Sequence, residues 1–80
     1  MTAQPPFLLF SRQDCHLCEV AAALLSRLGV PFREVDIDED SGLQERYGLS
    51  VPVLRHGTSG RELEFPFGEE QVVCFLDESE

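Results

Sequence analysis

The chain has 80 residues, 42% of them hydrophobic, and its 15 acidic and six basic side chains give a formal net charge of −9. We expect 80 residues to form one small domain over residues 1–80, too small for a multidomain enzyme with a separate cofactor-binding lobe. The hydrophobic content is sufficient for a compact core. The surplus of acidic residues repels a phosphate backbone, so we expect no nucleic-acid partner.

The N-terminus and the cysteine count bear on the cellular compartment. Residues 1–6 contain no basic side chain and the apolar run 7–10 is only four residues long, so we expect neither a signal peptide nor a membrane span. Three cysteines are an odd number, which does not suit a secreted framework of paired disulfides. We therefore expect a cytoplasmic protein, in which two cysteines close in sequence are more often catalytic or metal-binding than structural.

The first half of the chain predicts a βαβ unit. The continuous apolar run Phe7–Phe10 is typical of a strand buried on both faces. Apolar residues at three- and four-residue spacing predict a helix over 15–28, which ends at Gly29. The segment Phe32–Ile37 alternates in polarity and predicts a second strand. Two strands joined by a crossover helix pair in parallel.

The second half predicts a short helix, a hairpin and a final helix. These elements cover Leu43–Tyr47, Val51–Leu54, Arg61–Phe65 and Gly68–Asp77. The turn at 57–60 joins the third and fourth strands as an antiparallel hairpin. The apolar face of the final helix consists of Val72, Val73, Phe75 and Leu76. The whole order, βαβαββα, predicts a four-stranded mixed sheet flanked by helices.

Cys15 and Cys18 form a Cys-x-x-Cys motif where the first strand gives way to the first helix. A thiolate at a helix N-terminus faces unpaired backbone N–H groups and the positive end of the helix dipole, which favour it. We expect Cys15 to be the nucleophile and Cys18, one turn further on, to be the resolving cysteine. His16 and Arg12 are candidates for tuning the thiolate electrostatically.

A metal site is the alternative use of the motif. Zinc needs two further ligands, and the remaining candidates are Cys74, His56 and His16. No second Cys-x-x-Cys and no His pair lies at ligand spacing, so the residues favour redox chemistry and no bound metal. His56 is interpreted as a loop residue, and Cys74 as a partly exposed spare thiol.

Three segments carry a resemblance to a known family. They are CHLCE at Cys15–Glu19, YGLSVPVL at Tyr47–Leu54 and FPF at Phe65–Phe67. With the order of elements, they make the chain similar to the glutaredoxins and, more narrowly, to the small bacterial glutaredoxin-like domain proteins. The resemblance covers essentially the whole chain. It implies an α/β fold that is thioredoxin-like and of the glutaredoxin type.

The resemblance also implies roles for residues outside the cysteine pair. Val51 and Pro52 would form a cis-proline segment beside the cysteines, in which the backbone of Val51 pairs with the substrate as an added strand. Arg12 stands where glutaredoxins often have a lysine that assists the thiolate and contacts glutathione. Gly68 stands in the segment that receives the γ-glutamyl end of glutathione.

Two aromatic residues have two interpretations each, and two departures from the family pattern bear on the substrate. Tyr47 and Phe67 either line a substrate groove beside the first cysteine or close the core. His16–Leu17 replaces the usual Pro-Tyr between the cysteines, and Gly68 is the single glycine where glutaredoxins have two. These departures make a protein thiol, or reduction by a thioredoxin-type reductase, a competitor of glutathione.

These observations together predict a thiol–disulfide oxidoreductase that reduces protein or low-molecular-weight disulfides. We expect no bound cofactor, with glutathione as the candidate co-substrate. The expected partners are a disulfide-containing protein or glutathione and a thioredoxin-type reductase, and the expected state is a monomer. The alternative is a non-catalytic module that binds a peptide or protein under redox control of the cysteines.

Overall fold

The structure is a computed structural model that describes residues 6–78. In chain order its elements are β1 (Phe7–Ser11), α1 (His16–Arg27), β2 (Phe32–Asp36), a 3₁₀ turn (Ile37–Glu39), α2 (Ser41–Tyr47), β3 (Val53–His56), β4 (Glu62–Glu64) and α3 (Glu69–Glu78). This is the predicted βαβαββα order. Residues 1–5, on which the expectation about a signal peptide rests in part, lie outside the described residues.

The four strands form one mixed sheet in the order β2-β1-β3-β4. β1 and β2 are parallel, with Phe7 opposite Phe32 and Ser11 opposite Asp36. β3 is antiparallel to both β1 and β4. Because β1 and β2 run in the same direction, their C-terminal ends lie at the same edge of the sheet, and the chain enters α1 from that edge.

Two hydrophobic clusters cover opposite faces of the sheet, since successive side chains of a strand point to opposite sides. The buried members of the first cluster are Phe7, Leu9, Ala21, Leu25, Val30, Leu54, Phe67, Val72 and Phe75. Those of the second are Phe10, Ile37, Tyr47 and Val53. α1 and α3 therefore pack on one face and α2 on the other. Burial of a side chain such as Leu25 stabilises the fold by about 1.5–3 kcal/mol.

The ends of α1 are determined by short-range signals. The helix ends where predicted, because Gly29 has a φ of 73° and glycine adopts this left-handed conformation at little cost. The Gly29 N–H donates to the Ser26 carbonyl at 3.1 Å.

Between residues 6 and 78, no helix has the length and apolar character of a membrane span.

Several element boundaries differ from the predicted ones by one or two residues, and three of the differences are described here. β3 begins at Val53 instead of Val51, because Pro52 has no N–H to donate to a strand ladder. Ile37 leaves the second strand and is fully buried at the start of the 3₁₀ turn. α2 begins two residues earlier than predicted because Asp40 caps it, with Oδ1 accepting from Gly42 N–H at 2.8 Å.

The predicted apolar face of α3 was one residue too wide. Val72 is fully buried, whereas its neighbour Val73 has 45% of its surface exposed. Successive residues of a helix are about 100° apart around its axis, which places Val73 beyond the edge of the face formed by Val72, Phe75 and Leu76. Including Val73 in the buried face was therefore wrong.

A polar cluster borders the second hydrophobic cluster. The Tyr47 hydroxyl donates to the Glu62 carboxylate, and guanidinium nitrogens of Arg46 and Arg55 each lie 3.8 Å from the same carboxylate oxygen. The Tyr47 ring stacks on Phe10 with 4.4 Å between centroids. Burial, followed by the hydrogen bond to Glu62, raises the pKa of Tyr47 above its ordinary value of 10.0.

Candidate functional site

Cys15 and Cys18 are joined by a disulfide at the start of α1, with their Cα atoms 5.2 Å apart. Cys15 is the N-cap residue of the helix, and its Sγ accepts a hydrogen bond from the Cys18 N–H at 3.2 Å. Cys18 is buried, with 4% of its surface exposed, whereas Cys15 is partly exposed. The arrangement leaves Cys15 as the sulfur that solvent and a substrate can reach.

The loop between β1 and α1 turns at Asp14. This residue has a φ of 57°, in the left-handed region that aspartate tolerates better than most residues. Cys15 follows in an extended conformation, with φ −109° and ψ 103°, as is usual for an N-cap. The turn therefore brings the chain from the sheet edge into the helix with the first cysteine at the cap.

Arg12 lies three residues before Cys15, and its guanidinium is engaged elsewhere. It forms two hydrogen bonds with the Asp38 carboxylate, at 2.8 and 3.3 Å, and a third with the Gly48 carbonyl at 3.1 Å. The carboxylate offsets the charge that was predicted to favour the thiolate. The side chain ties the cysteine loop to the 3₁₀ turn and to the end of α2, and its tuning role stays a prediction.

His16 and Leu17, between the two cysteines, are both exposed. The imidazole Nδ1 of His16 lies 3.8 Å from a Glu19 carboxylate oxygen, and both side chains are largely in solvent. Leu17 has 50% of its surface exposed despite being apolar. The tuning role of His16 stays a prediction, whereas the exposure of Leu17 is a feature that the sequence pattern did not indicate.

The Val51–Pro52 segment precedes β3, and its peptide bond is cis. The Val51 N–H donates to the Tyr47 carbonyl at 3.2 Å, and the Pro52 carbonyl accepts from the Phe65 N–H at 3.3 Å. The bond from Arg12 to Gly48 connects this part of the chain to the cysteine loop. Since its N–H is engaged, Val51 would offer a substrate its carbonyl; pairing with a substrate stays a prediction.

Two predicted substrate contacts belong to the core. Tyr47 has 4% and Phe67 6% of its surface exposed, and they are members of the second and first hydrophobic clusters respectively. Their burial removes these side chains from a substrate surface, so the core interpretation holds for both. Gly68 is exposed, but its N–H donates to Gln71 Oε1 at 2.8 Å, which closes the start of α3.

The other two candidates lie apart from the disulfide. His56 ends β3, where its Nδ1 is 2.8 Å from Ser59 Oγ in the following turn. Cys74 is a free thiol on α3, as the sequence predicted, and it is exposed instead of partly exposed. Over residues 6–78, no three His, Cys, Asp or Glu side chains come together in a group that could hold a metal ion.

A groove of about 470 Å³ runs beside the disulfide, between the start of α1 and the edge strand β2. Its lining includes both cysteines and four carboxylates, those of Asp14, Glu19, Glu34 and Asp36. Sequence reasoning missed the two residues on β2. The available signal was the parallel pairing, because Glu34 and Asp36 share one strand face and Asp36 stands opposite the last residue of β1.

Comparisons with known proteins agree with this fold and site. The family model described as Glutaredoxin-like domain (DUF836) matches residues 7–77. The chain is similar to the solved structure of target protein XcR50 from X. campestris, with 41% identity, a TM-score of 0.85, and coverage of 92% of this chain and 99% of that one. No curated protein matches it.

Two glutaredoxin structures are also similar. Glutaredoxin C1 from Populus tremula x tremuloides, in its holo form, is 26% identical with a TM-score of 0.61, over 91% of this chain and 75% of that one. Glutaredoxin from Brucella melitensis is 25% identical with a TM-score of 0.57, over 96% and 84% of the two chains.

The fold and the cysteine pair define a thioredoxin-fold protein of the redox type, with a Cys-x-x-Cys motif opening its first helix. Because the family model spans residues 7–77, the chain belongs to the glutaredoxin-like domain family (DUF836).

Proposed function

We propose that the protein is a small thiol–disulfide oxidoreductase that reduces protein or low-molecular-weight disulfides through Cys15 and Cys18. The observation that carries the proposal is the position of Cys15, which caps α1, is partly exposed, and is bonded to a buried second cysteine. Unpaired backbone N–H groups and the helix dipole stabilise a thiolate at this place, and the thiolate is the nucleophile of disulfide exchange.

The reaction proceeds in two exchanges. The Cys15 thiolate of the reduced protein attacks a substrate disulfide, forms a mixed disulfide and releases the first substrate thiolate. Cys18 then loses its proton and attacks the Cys15 sulfur, which releases the second substrate thiolate and closes the Cys15–Cys18 disulfide. Two electrons pass from the dithiol to the substrate, and the released thiolates take up protons according to their pKa values.

A further reductant must return the disulfide to the dithiol. Glutathione and a thioredoxin-type reductase are the two proposed donors, and both belong to the proposed cytoplasmic location. Within the described residues, the N–H groups of Val51 and Gly68 are engaged in internal hydrogen bonds, and the Arg12 guanidinium is bound to Asp38. These contacts support the reductase over glutathione as the donor.

The proposal is tested by a coupled assay with insulin and 2-hydroxyethyl disulfide as substrates. The electron source is either glutathione with its reductase or NADPH with thioredoxin reductase. We expect turnover with at least one source and loss of turnover to the uncatalysed background in Cys15→Ser. Serine is a favoured N-cap residue, so this substitution preserves the start of α1.

The matched control is Cys74→Ser, which removes an exposed thiol from another helix. It is expected to retain the activity of the unmodified chain. Circular dichroism of both variants checks that the fold is intact. Turnover that survives Cys15→Ser, or that disappears equally in Cys74→Ser, would contradict the assignment of Cys15 as the nucleophile.

A second candidate function is a non-catalytic module that binds a protein partner under redox control. The observation that favours it is the exposure of two leucines close in sequence to the proposed binding residues: Leu17, between the cysteines, and Leu49, two residues before Val51. This function predicts that neither electron source reduces the disulfide at a useful rate. It also predicts that a partner binds one redox state of the chain and that Leu49→Ser weakens the binding.

A further inference from the structure

The groove beside the disulfide carries unneutralised negative charge. Asp14 and Glu19 line it from the loop and α1, and Glu34 and Asp36 line it from β2. Over residues 6–78, none of these carboxylates forms an ion pair with an arginine. Glu19 has only the exposed imidazole of His16 at 3.8 Å.

The other contacts of these carboxylates are with neutral groups. Ser11 Oγ donates to Glu34 at 3.3 Å, and the backbone N–H of Asp38 donates to Asp36 at 2.9 Å. Hydrogen bonds of this kind orient a carboxylate without cancelling its charge. The four negative charges therefore act on any molecule that enters the groove.

Arg12 is the basic residue among those lining the groove, and its positive charge is paired with the Asp38 carboxylate. The guanidinium binds both oxygens of Asp38, at 2.8 and 3.3 Å, and its third contact is the carbonyl of Gly48. The Asp38 carboxylate offsets the positive charge that would otherwise attract a substrate carboxylate. The groove thus offers no uncompensated cation to an anionic substrate and several carboxylates to a cationic one.

The disulfide lies in the wall of this same groove, so a substrate that exchanges with Cys15 experiences the field of the carboxylates. A concave site lined by charges of one sign concentrates ligands of the opposite sign and can change association rates by about 10- to 1,000-fold. Two carboxylates flanking the substrate sulfur are repelled, and two ammonium groups in the same places are attracted.

We propose that this groove makes the Cys15–Cys18 couple selective for disulfides with cationic groups beside the sulfurs, and selective against those with carboxylates there. The inference rests on the proposed function, because it assigns a substrate class to that exchange. The shared chemistry is a sulfur flanked by ammonium or guanidinium groups. Its source is either a protein cysteine next to Lys or Arg or a small aminothiol disulfide.

The test uses three peptide disulfides that differ only in charge. Each is the symmetrical dimer of an acetylated, amidated tripeptide, with the sequence Lys-Cys-Lys, Gln-Cys-Gln or Glu-Cys-Glu. The chain is reduced, freed of reductant and mixed with each dimer at low ionic strength, and the rate constant for closure of the Cys15–Cys18 disulfide is measured. The rate of each dimer with 2-mercaptoethanol, a neutral thiol, corrects for its intrinsic reactivity.

We expect the corrected rate constant to be at least about 10-fold higher for the Lys dimer than for the Glu dimer, with the Gln dimer between them. In 1 M salt the Debye length is about 3 Å, so the preference should fall toward unity. A second pair of probes, cystamine and 3,3′-dithiodipropionate, distinguishes the two sources. A similar preference in this pair points to a small aminothiol disulfide, and a preference seen only with the peptides points to a protein segment.

The groove variant combines Asp14→Asn, Glu19→Gln and Glu34→Gln. Asparagine tolerates the positive φ of position 14, and glutamine keeps the acceptor for Ser11, so the changes remove charge with little change of shape. The ratio of the Lys to the Glu rate constant is expected to fall to about 3 or less, since most of the local potential is gone.

The control variant combines Glu45→Gln, Glu64→Gln and Asp77→Asn, which changes the net charge equally but at exposed positions outside the groove. It should keep the preference of the unmodified chain. Equal corrected rates for the Lys and Glu dimers, or an equal loss of preference in both variants, would overturn the assignment to this groove. Failure of the neutral Gln dimer to react would instead overturn the proposed function, and the inference with it.

Discussion

α1 and α3 pack on the same face of the sheet and share one hydrophobic cluster, yet their cysteines are in different situations. Cys15 caps α1 and is bonded to the buried Cys18, whereas Cys74 lies within α3 as a free, exposed thiol. Inside a helix the backbone N–H groups are bonded to carbonyls of the preceding turn, and at the N-terminus they are not. The place of a cysteine along its helix therefore determines whether the backbone can stabilise a thiolate.

The difference between the cysteines of α1 and α3 is tested most directly by trapping the first exchange. In Cys18→Ser the resolving thiol is missing, so 2-hydroxyethyl disulfide should leave a persistent mixed disulfide on Cys15. We expect Cys15 in the reduced Cys18→Ser/Cys74→Ser variant to react at least about 10-fold faster than Cys74 in Cys15→Ser/Cys18→Ser. Intact mass spectrometry over time measures both rates, and equal rates would contradict the comparison.

The packing that the two helices share is tested by two adjacent valines of α3. Val72 is fully buried and Val73 is 45% exposed, so they form a matched pair. Val72→Ala should lower the free energy of unfolding by about 2 kcal/mol, because it removes buried methyl groups and leaves a cavity. Val73→Ala should change it by less than about 0.5 kcal/mol. Urea unfolding measures both, and equal effects would show that the buried face of α3 is wrongly assigned.

The smallest expected effect is on the opposite face of the sheet, under α2. The pKa of Tyr47 is raised in the folded chain, chiefly by burial, so the neutral phenol contributes stability below its ordinary pKa of 10.0. That contribution is lost as the pH rises through the raised value. Between pH 8 and pH 11, the free energy of unfolding of the unmodified chain should therefore fall relative to that of Tyr47→Phe.

Urea midpoints at the two pH values measure that shift. The chain contains a single tyrosine, and every other ionisable side chain is common to the two proteins being compared. A stability difference that is constant between pH 8 and pH 11 would contradict the raised pKa.

The fold was predictable from the sequence to the level of elements and their order. The continuous apolar run of β1 indicated the buried central strand, and Gly29 indicated the end of α1. The predicted first residue was wrong for α2, where Asp40 caps the helix, and for β3, where Pro52 has no N–H to donate. These errors are local because hydrophobic periodicity reports which residues are buried and not where the hydrogen-bond pattern begins.

The candidate site was predictable in its cysteines but not in its surroundings. Cys15 and Cys18 could be placed because the helix start and the three-residue spacing are both short-range features. The partner of Arg12 could not, since Asp38 is 26 residues away in sequence. The interpretation of Tyr47 and Phe67 was also open, because the local sequence around an aromatic residue is the same whether its side chain lies in a core or in a groove.

The order of elements, the cysteine pair at a helix N-terminus and the excess of acidic residues follow from the amino-acid sequence alone. These depend on periodicity, turn chemistry and composition, which act over a few neighbouring residues. The ion pair between Arg12 and Asp38, and the position of Glu34 and Asp36 in the groove of the disulfide, depend instead on how the chain folds. The physical reason is the parallel pairing of β1 with β2, which brings carboxylates from a distant part of the chain to the edge where α1 begins.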